Sequence, residues 1–410
     1  MKNAFAWLSR RRASPWTLKA LLALCPLLVG LSGPDIRPAA AGRVAPARGT
    51  PLYRTVEALA VPCERSGNDG NNGTGARAPR QGQDSSDPKL LVCGGFCKGD
   101  IYADVLMAAL TAEGSVAGLS WEAGPPLPVP LQGHAVLAAA GRIYVFGGLT
   151  GFSGRKALYS GEIYSAAIAG GRPGAWKKTA ALPGPLGYHA AVRAGKWIFV
   201  TGGFSPAGSG SDSDGVWNYE IRKDGTLGQP FRAGALLKAT RGHASVVHGN
   251  RLFIMGGHSD ERYFDDVYSA PIDDSGRLGS WAKTAPLPAG LVHFGAALRG
   301  DWLYVFGGQD EKGLLHDAVY AARLSEAGIS GWEKAGVLPA PSSRMSVSLR
   351  GGAVIIAGGG FGWEEPVFTG IFAADFRGGG RLGPWRKAGD LPRPTAFHGA
   401  VLVPDDLEMR

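Results

Sequence analysis

The sequence predicts an all-β protein built as a ring of six four-stranded antiparallel sheets. Three observations predict it. First, a short apolar run closed by Gly-Gly occurs six times: KLLVCGG at 89–95, RIYVFGG at 142–148, WIFVTGG at 197–203, RLFIMGG at 251–257, WLYVFGG at 302–308 and AVIIAGG at 353–359. Successive copies are 53, 55, 54, 51 and 51 residues apart, and a fixed period of this size marks an array of repeats. Second, each unit carries an aromatic residue with leucine six positions later: Trp121/Leu127, Trp176/Leu182, Phe231/Leu237, Trp281/Leu287, Trp332/Leu338 and Trp385/Leu391. Third, the 64 glycines and 28 prolines suit a protein made of short strands and many turns.

Each element of the unit has a physical reason. The apolar, β-branched run reads as a buried strand, and the glycine pair ends it because glycine reaches positive φ and admits another backbone closely. A variable loop follows, then a short strand such as Asp266-Val267-Tyr268, then a Gly-containing hairpin such as 276–279. The aromatic strand comes next. Proline follows its leucine in five units, with Lys238 in the third, and marks the exit to a loop. A strand of small residues such as 134–138 closes the unit and turns into the next Gly-Gly strand. One four-stranded sheet cannot hide both its faces, so six stacked radially about an axis bury them between neighbours. The first unit lacks an innermost strand, and 398–403 supplies one, so the ring is expected to close with one strand from the C-terminus and three from the N-terminus. Six aromatic rings on the fourth strands, at about 150–250 Å² each, are expected to pack between the sheets as core.

The expected organisation is a signal peptide over 1–41, a disordered linker over 42–88, the ring over 89–403 and a tail over 404–410. The signal reads from Arg10–Arg12, an apolar stretch at 18–31 and small residues at 39–41. That stretch is short for a membrane span and Pro26 interrupts it. The formal charge of +9 falls to about +4 without residues 1–41, and no basic run with interleaved aromatics suggests nucleic acid. Export, to a periplasm or to the outside, permits a disulfide. The pairing expected is Cys93–Cys97, or Cys63 with one of them, leaving one thiol over.

On the six Gly-Gly strands, the six aromatic/leucine pairs and the histidine or its substitute before each inner strand, the sequence resembles the kelch-repeat family, with exported bacterial members as the nearest expectation. The resemblance covers 89–403 and implies a six-bladed kelch-type β-propeller. It is specific for fold rather than function, since the family includes binding scaffolds, a copper oxidase built on a galactose oxidase-like propeller, and a sialic acid mutarotase.

Four histidines, His134, His189, His243 and His398, recur before inner strands, where Phe294 and Met345 stand in the other two units; those replacements favour packing over a metal ring. No metal or cofactor is expected. The hairpin GGGRLG at 378–383 reads as a turn, because it lacks the preceding strand and following helix of a dinucleotide site. What remains is the loop face around the axis. The candidate ligand-binding residues there are Tyr188, Arg241, His258, Glu261, His293, Arg344, Trp363, Glu364 and Glu365, with Gln132, Phe397, Tyr263 and Asp310 nearby. Guanidinium groups suit a carboxylate, aromatics a sugar face, and carboxylates hydroxyls or proton transfer. The kelch resemblance also implies arginine reaching anionic groups at the axis. The favoured reading is a monomeric binding scaffold for a protein, a glycan or a small acidic sugar, with no nucleic-acid partner and no membrane span. The alternative is a sugar mutarotase or epimerase resembling the sialic acid mutarotase, with Glu364 or Glu261 beside Arg344 or Arg241 as acid/base candidates. Catalytic residues are not assignable from the sequence.

Overall fold

The computed structural model describes residues 88–403, apart from 112, 116–119, 208–209, 261, 327 and 361–365. The expected signal peptide, the linker up to residue 87, Cys63 and the tail lie outside the described residues.

Among the described residues six four- or five-stranded antiparallel sheets form the ring of blades, four two-stranded hairpins lie beside them, and no α-helix occurs. From the axis outward, blade 2 runs Ala135–Ala139, Arg142–Phe146, Glu162–Ala169 and Lys177–Ala181. Blade 3 runs Ala190–Ala194, Trp197–Thr201, Gly215–Glu220 and Phe231–Ala235. Blade 4 runs Ala244–His248, Arg251–Met255, Val267–Pro271 and Ala282–Thr284. Blade 5 runs Gly295–Arg299, Trp302–Phe306, Ala318–Ser325 and Glu333–Val337, and blade 6 Ser346–Arg350, Ala353–Ala357, Gly370–Asp375 and Arg386–Asp390. Blade 1 closes the ring as its sequence requires. The C-terminal strand Gly399–Val403 pairs with Lys89–Cys93, in the register Leu90 to Leu402, Leu91 to Val401 and Val92 to Ala400. Val105–Ala109 and Glu122–Ala123 complete that blade, so the edge of Lys89–Cys93 that faces the axis is paired.

The second strand of every blade lies inside its sheet, with neighbouring blades on both faces, so its residues are apolar without alternation. Tyr144, Phe146, Phe199, Phe253, Tyr304 and Phe306, all on second strands, are fully buried. The fourth-strand aromatics behave differently from the expectation that they form the core. They are half-buried at the edges of the core clusters. Their indole N–H groups reach across the gap to the preceding blade: Trp121 donates to the Asp390 carbonyl at 2.9 Å, Trp176 to Pro125 at 2.8 Å, Trp281 to Ala235 at 2.7 Å and Trp332 to Ala285 at 3.3 Å. They are staples between blades, while the second strands carry most of the buried apolar mass.

The first glycine of each pair marks where one blade meets the next. At Gly202, with φ +59°, a Cβ would sit 2.5 Å from Cε1 of His243 and 2.6 Å from the Thr240 carbonyl oxygen. The same contact joins Gly94 to His134, Gly147 to His189 and Gly358 to His398, and Phe294 takes the place of histidine against Gly256. The histidines therefore fill the gap between blades beneath the glycine turns. The GGGRLG segment is the third-to-fourth strand hairpin of blade 6, with a 3₁₀ turn at Gly378–Gly380.

Cys97 is disulfide-bonded, whereas Cys93 is a buried free thiol. The Cys93–Cys97 pairing and any bridge from Cys63 to Cys93 are thereby excluded, and the partner of Cys97 lies outside the described residues. Burial pushes the Cys93 thiol up to about 12, and it faces Nε2 of His134 at 3.7 Å.

Candidate functional site

Pairing fixes which loops share a face. The start of each inner strand lies opposite the end of its second strand, as in Ala190 to Thr201. The loop entering the inner strand and the loop leaving Gly-Gly therefore open on the same side. Isolated bridges tie them together: Gln132 to Leu149, Gly187 to Phe204, Arg241 to His258, Val292 to Gln309, Ser343 to Gly360 and Ala396 to Phe96.

The next residue in each loop is the innermost. These six, Gly133, Tyr188, Gly242, His293, Arg344 and Phe397, all have left-handed backbone, with φ between +54° and +64°. Each donates its amide hydrogen to the carbonyl of the equivalent residue one blade back. Tyr188 donates to Gly133 at 2.7 Å, Gly242 to Tyr188 at 2.9 Å, His293 to Gly242 at 2.8 Å, Arg344 to His293 at 2.7 Å, Phe397 to Arg344 at 3.1 Å, and Gly133 back to Phe397 at 3.1 Å. The bonds form a closed circle around the axis, which includes the seam between the two ends of the chain. Four non-glycine residues hold positive φ because this circle satisfies their backbone polar groups.

The side chains on this circle meet over the axis. Tyr188, His293 and Phe397 contact one another edge to face, with centroids 5.8, 5.4 and 5.0 Å apart. The Arg344 guanidinium lies 5.1 Å from the centre of the Phe397 ring. It donates to Oε1 of Gln309 at 2.6 Å and to the Ser343 hydroxyl, while its buried Nε has no partner. Among the described residues no carboxylate pairs with Arg344. Burial lowers its pKa to about 10, still far above neutrality, so the group is a cation.

Arg241 stands one residue earlier in its loop and is fully engaged. It donates to Oδ1 of Asp212 at 2.8 Å and to Nε2 of His258 at 3.0 Å, and it lies 4.9 Å from the centre of the Phe204 ring. His258 accepts that bond as a neutral imidazole, since burial and then Arg241 push it down to about 4. His293 is likewise held well below its ordinary value by burial and by Arg344. Burial also raises Asp212, against the opposing pull of Arg241.

The structure thus divides the sequence candidates. Tyr188, His293 and Arg344 share the innermost circle with Phe397. Arg241 and His258 form a bridge around it, and Tyr263 stacks on His258 at 5.1 Å. Glu261, Trp363, Glu364 and Glu365 lie outside the described residues. Asp310 accepts bonds from the Lys312 and Leu314 amides and from His316, and so shapes its own loop. Gln132 is wholly buried. Sequence reasoning missed Tyr159, Phe204, Asp212 and Gln309. Tyr159 and Phe204 pack together at 5.7 Å on hairpins outside the repeat pattern, and the role of Asp212 shows only through its arginine partner 29 positions away. Two surface clefts, of about 550 and 490 Å³, lie at the opposite face, away from the axis circle. No cluster of three or more His, Cys, Asp or Glu among the described residues is placed to hold a metal ion, and no described helix is long and apolar enough to cross a membrane.

Comparison with known proteins follows the same lines. Residues 84–283 match the model of the KLHDC2/KLHL20/DRC7 Kelch-repeats domain. The human Kelch-like protein 38 is 25% identical over 196 residues, which is 45% of this chain and 30% of that protein. The mouse Kelch domain-containing protein 1 is 28% identical over 193 residues, 40% of this chain and 47% of that protein. The human Multiple epidermal growth factor-like domains protein 8 is 26% identical over 330 residues, 70% of this chain but 11% of that protein. In each case the match spans less than half of the relative's own length. A solved structure, that of YjhT, superposes with a TM-score of 0.51 at 17% identity, covering 67% of this chain and 88% of that one, and shares the fold.

Proposed function

Since the chain is a kelch-repeat β-propeller, we propose that it is a binding module whose loop face grips a partner at the axis through Arg344. The observation that carries this is a guanidinium with no carboxylate partner among the described residues, spread over a phenylalanine ring at the centre of the ring of blades. A cation held by a neutral amide and a hydroxyl keeps its charge for an incoming anion, and partial desolvation strengthens that attraction. The surrounding floor of Tyr188, His293 and Phe397 is apolar and neutral, which suits an aliphatic or aromatic neighbour of the anionic group. An acidic segment of a protein fits this description.

The alternative, a sugar mutarotase or epimerase, requires an acid/base carboxylate beside the arginine. Asp212 is committed to Arg241, and the other candidates, Glu261 and Glu364, lie outside the described residues. A display library of acidic peptides separates the two readings. Enriched peptides should bind the native protein and lose at least ~30-fold, about 2 kcal/mol, in Arg344→Ala with unchanged melting. Absence of any enriched peptide, together with accelerated anomer exchange of an acidic sugar in NMR, would favour the enzyme.

Export is part of the same proposal. The basic, apolar and small-residue order of residues 1–41 supports it, and so does a disulfide at Cys97. N-terminal sequencing of protein recovered outside the cytoplasm should begin at Gly42; retention of Met1 would contradict it.

A further inference from the structure

We propose a second binding site, for an oxyanion carrying two or more adjacent phosphate or sulfate groups, in the blade 3 cleft on the face opposite the axis circle. The cleft has a volume of about 550 Å³ and lies where the third-to-fourth strand hairpin of blade 3 folds back over the inner turns of blades 2 and 3. The Tyr144 hydroxyl of blade 2 anchors that hairpin by donating to the Gly225 carbonyl at 2.5 Å. Arg193, Lys196, Arg222 and Lys223 line the cleft, with Glu220 as the one carboxylate among its lining residues. Glu220 is neutralised by Lys196 at 2.7 Å. Arg193, Arg222 and Lys223 make no ion pair among the described residues, and only Asp224, which Thr226 holds, lies near enough to feel Arg222, so the cleft keeps a net positive charge.

The repeat supplies an internal control. Blade 5 has a cleft of about 490 Å³ at the same place, lined by His248, Asp301, Arg323, Ser325 and Glu326 among others. Four of the charged lining positions of blade 3 have equivalents that line the blade 5 cleft, whereas Arg193 corresponds to Leu298, which does not. Lys196 and Asp301 each precede the tryptophan that opens the second strand, and each accepts a 2.7 Å bond at its carbonyl, from Ile221 and Leu324 respectively. Glu220 and Arg323 each pair with that tryptophan across the sheet. Arg222 and Lys223 correspond to Ser325 and Glu326. The backbone is shared and the charges differ: the signs are opposite at Lys196/Asp301, Glu220/Arg323 and Lys223/Glu326, and Arg222 faces a neutral Ser325. Asp301 is moreover turned to His248, at 3.0 Å. The blade 5 cleft keeps Arg323 beside Asp301 and Glu326, so the cationic excess belongs to blade 3 and not to the repeated backbone. Guanidinium groups match the geometry of phosphate and sulfate oxygens, and a concave cationic surface holds several such groups at once.

Calorimetric titration of the native protein with tripolyphosphate tests this, at ~50 mM and ~200 mM salt, beside vesicles of phosphatidylcholine with and without phosphatidic acid. The expected result is one site per chain, weakened by salt, with affinity falling at least ~10-fold in Arg222→Glu/Lys223→Glu and unchanged in Arg323→Glu of the blade 5 cleft. Lys223→Gln alone, at an exposed position with no ion pair among the described residues, should lower affinity severalfold. Binding to phosphatidic acid vesicles as well as to tripolyphosphate would assign the site to a membrane headgroup, and binding to tripolyphosphate alone to a soluble oligoanion. Absence of tripolyphosphate binding, or an equal loss in Arg323→Glu, would overturn the proposal.

Discussion

The axis and the outer strands follow the repeat in opposite ways. On the outside the same residue does the same task in blade after blade: four of the six fourth-strand aromatics donate an indole N–H to the blade before. At the axis the backbone repeats and the residues do not. Six left-handed positions joined in one circle carry two glycines, a tyrosine, a histidine, an arginine and a phenylalanine. Residues that repeat report packing, because every blade must solve the same contact. Residues that differ on a repeated backbone report the ligand, because a partner breaks the symmetry of the ring.

The strongest way to break this comparison is to open the circle. Ending the chain at Phe397 removes the inner strand of blade 1 and all five residue pairs of the seam. The edge of Lys89–Cys93 is then exposed and the buried Leu90, Leu91 and Val92 lose one neighbour. Loss of cooperative unfolding and aggregation at room temperature are expected in calorimetry and light scattering. Native-like melting of the truncated chain would mean that the blades stand without closure.

Acid sharpens the contrast between blades. Burial pushes His134 and His243 down to about 4, and His189 and His398 down to about 3. The folded protein therefore keeps these imidazoles neutral after the unfolded chain has begun to take protons, near pH 6.5. Stability is full above that pH and falls as pH drops towards 4–3. Each histidine contributes up to about 1.4 kcal/mol per pH unit in that window, so the four together cost up to about 8 kcal/mol by pH 5. His189, whose ring makes no side-chain hydrogen bond among the described residues and has only the Phe146 backbone for a polar partner, is the one to replace. His189→Phe, copying the residue that blade 5 uses, should leave the neutral melting temperature within about 2 °C and flatten the urea-midpoint profile between pH 6.5 and 4. A steeper profile would contradict the packing role.

The smallest effect concerns the staples. Trp281→Phe keeps most of the ring and deletes the 2.7 Å bond to the Ala235 carbonyl, and should cost about 1 kcal/mol in denaturant unfolding. A cost above about 3 kcal/mol would return these aromatics to the core.

Much of this was legible in the chain. Gly-Gly after a five-residue apolar run states a strand and its end in local terms, and 398–403 matched the missing inner strand by pattern alone. Closure therefore followed from counting. The fourth-strand aromatics were read as too deeply buried, because periodicity gives a residue's blade and strand but not how far it stands from the rim. At the axis, the sequence offered Arg241 and Arg344 as equals. Their difference arises from Asp212, which reaches Arg241 across a hairpin no repeat predicts, while Arg344 meets only Gln309 and Ser343. Long-range pairing of this kind leaves no mark on spacing.

Amide hydrogen exchange of Gly133, Tyr188, Gly242, His293, Arg344 and Phe397 tests the closed circle most directly. These residues sit in loops, where exchange is ordinarily fast. If the six bonds form one unbroken ring, all six amides exchange slowly and at a common rate. Fast exchange at Gly133 and Phe397 alone, with the other four protected, would show a circle open at the seam and contradict the account.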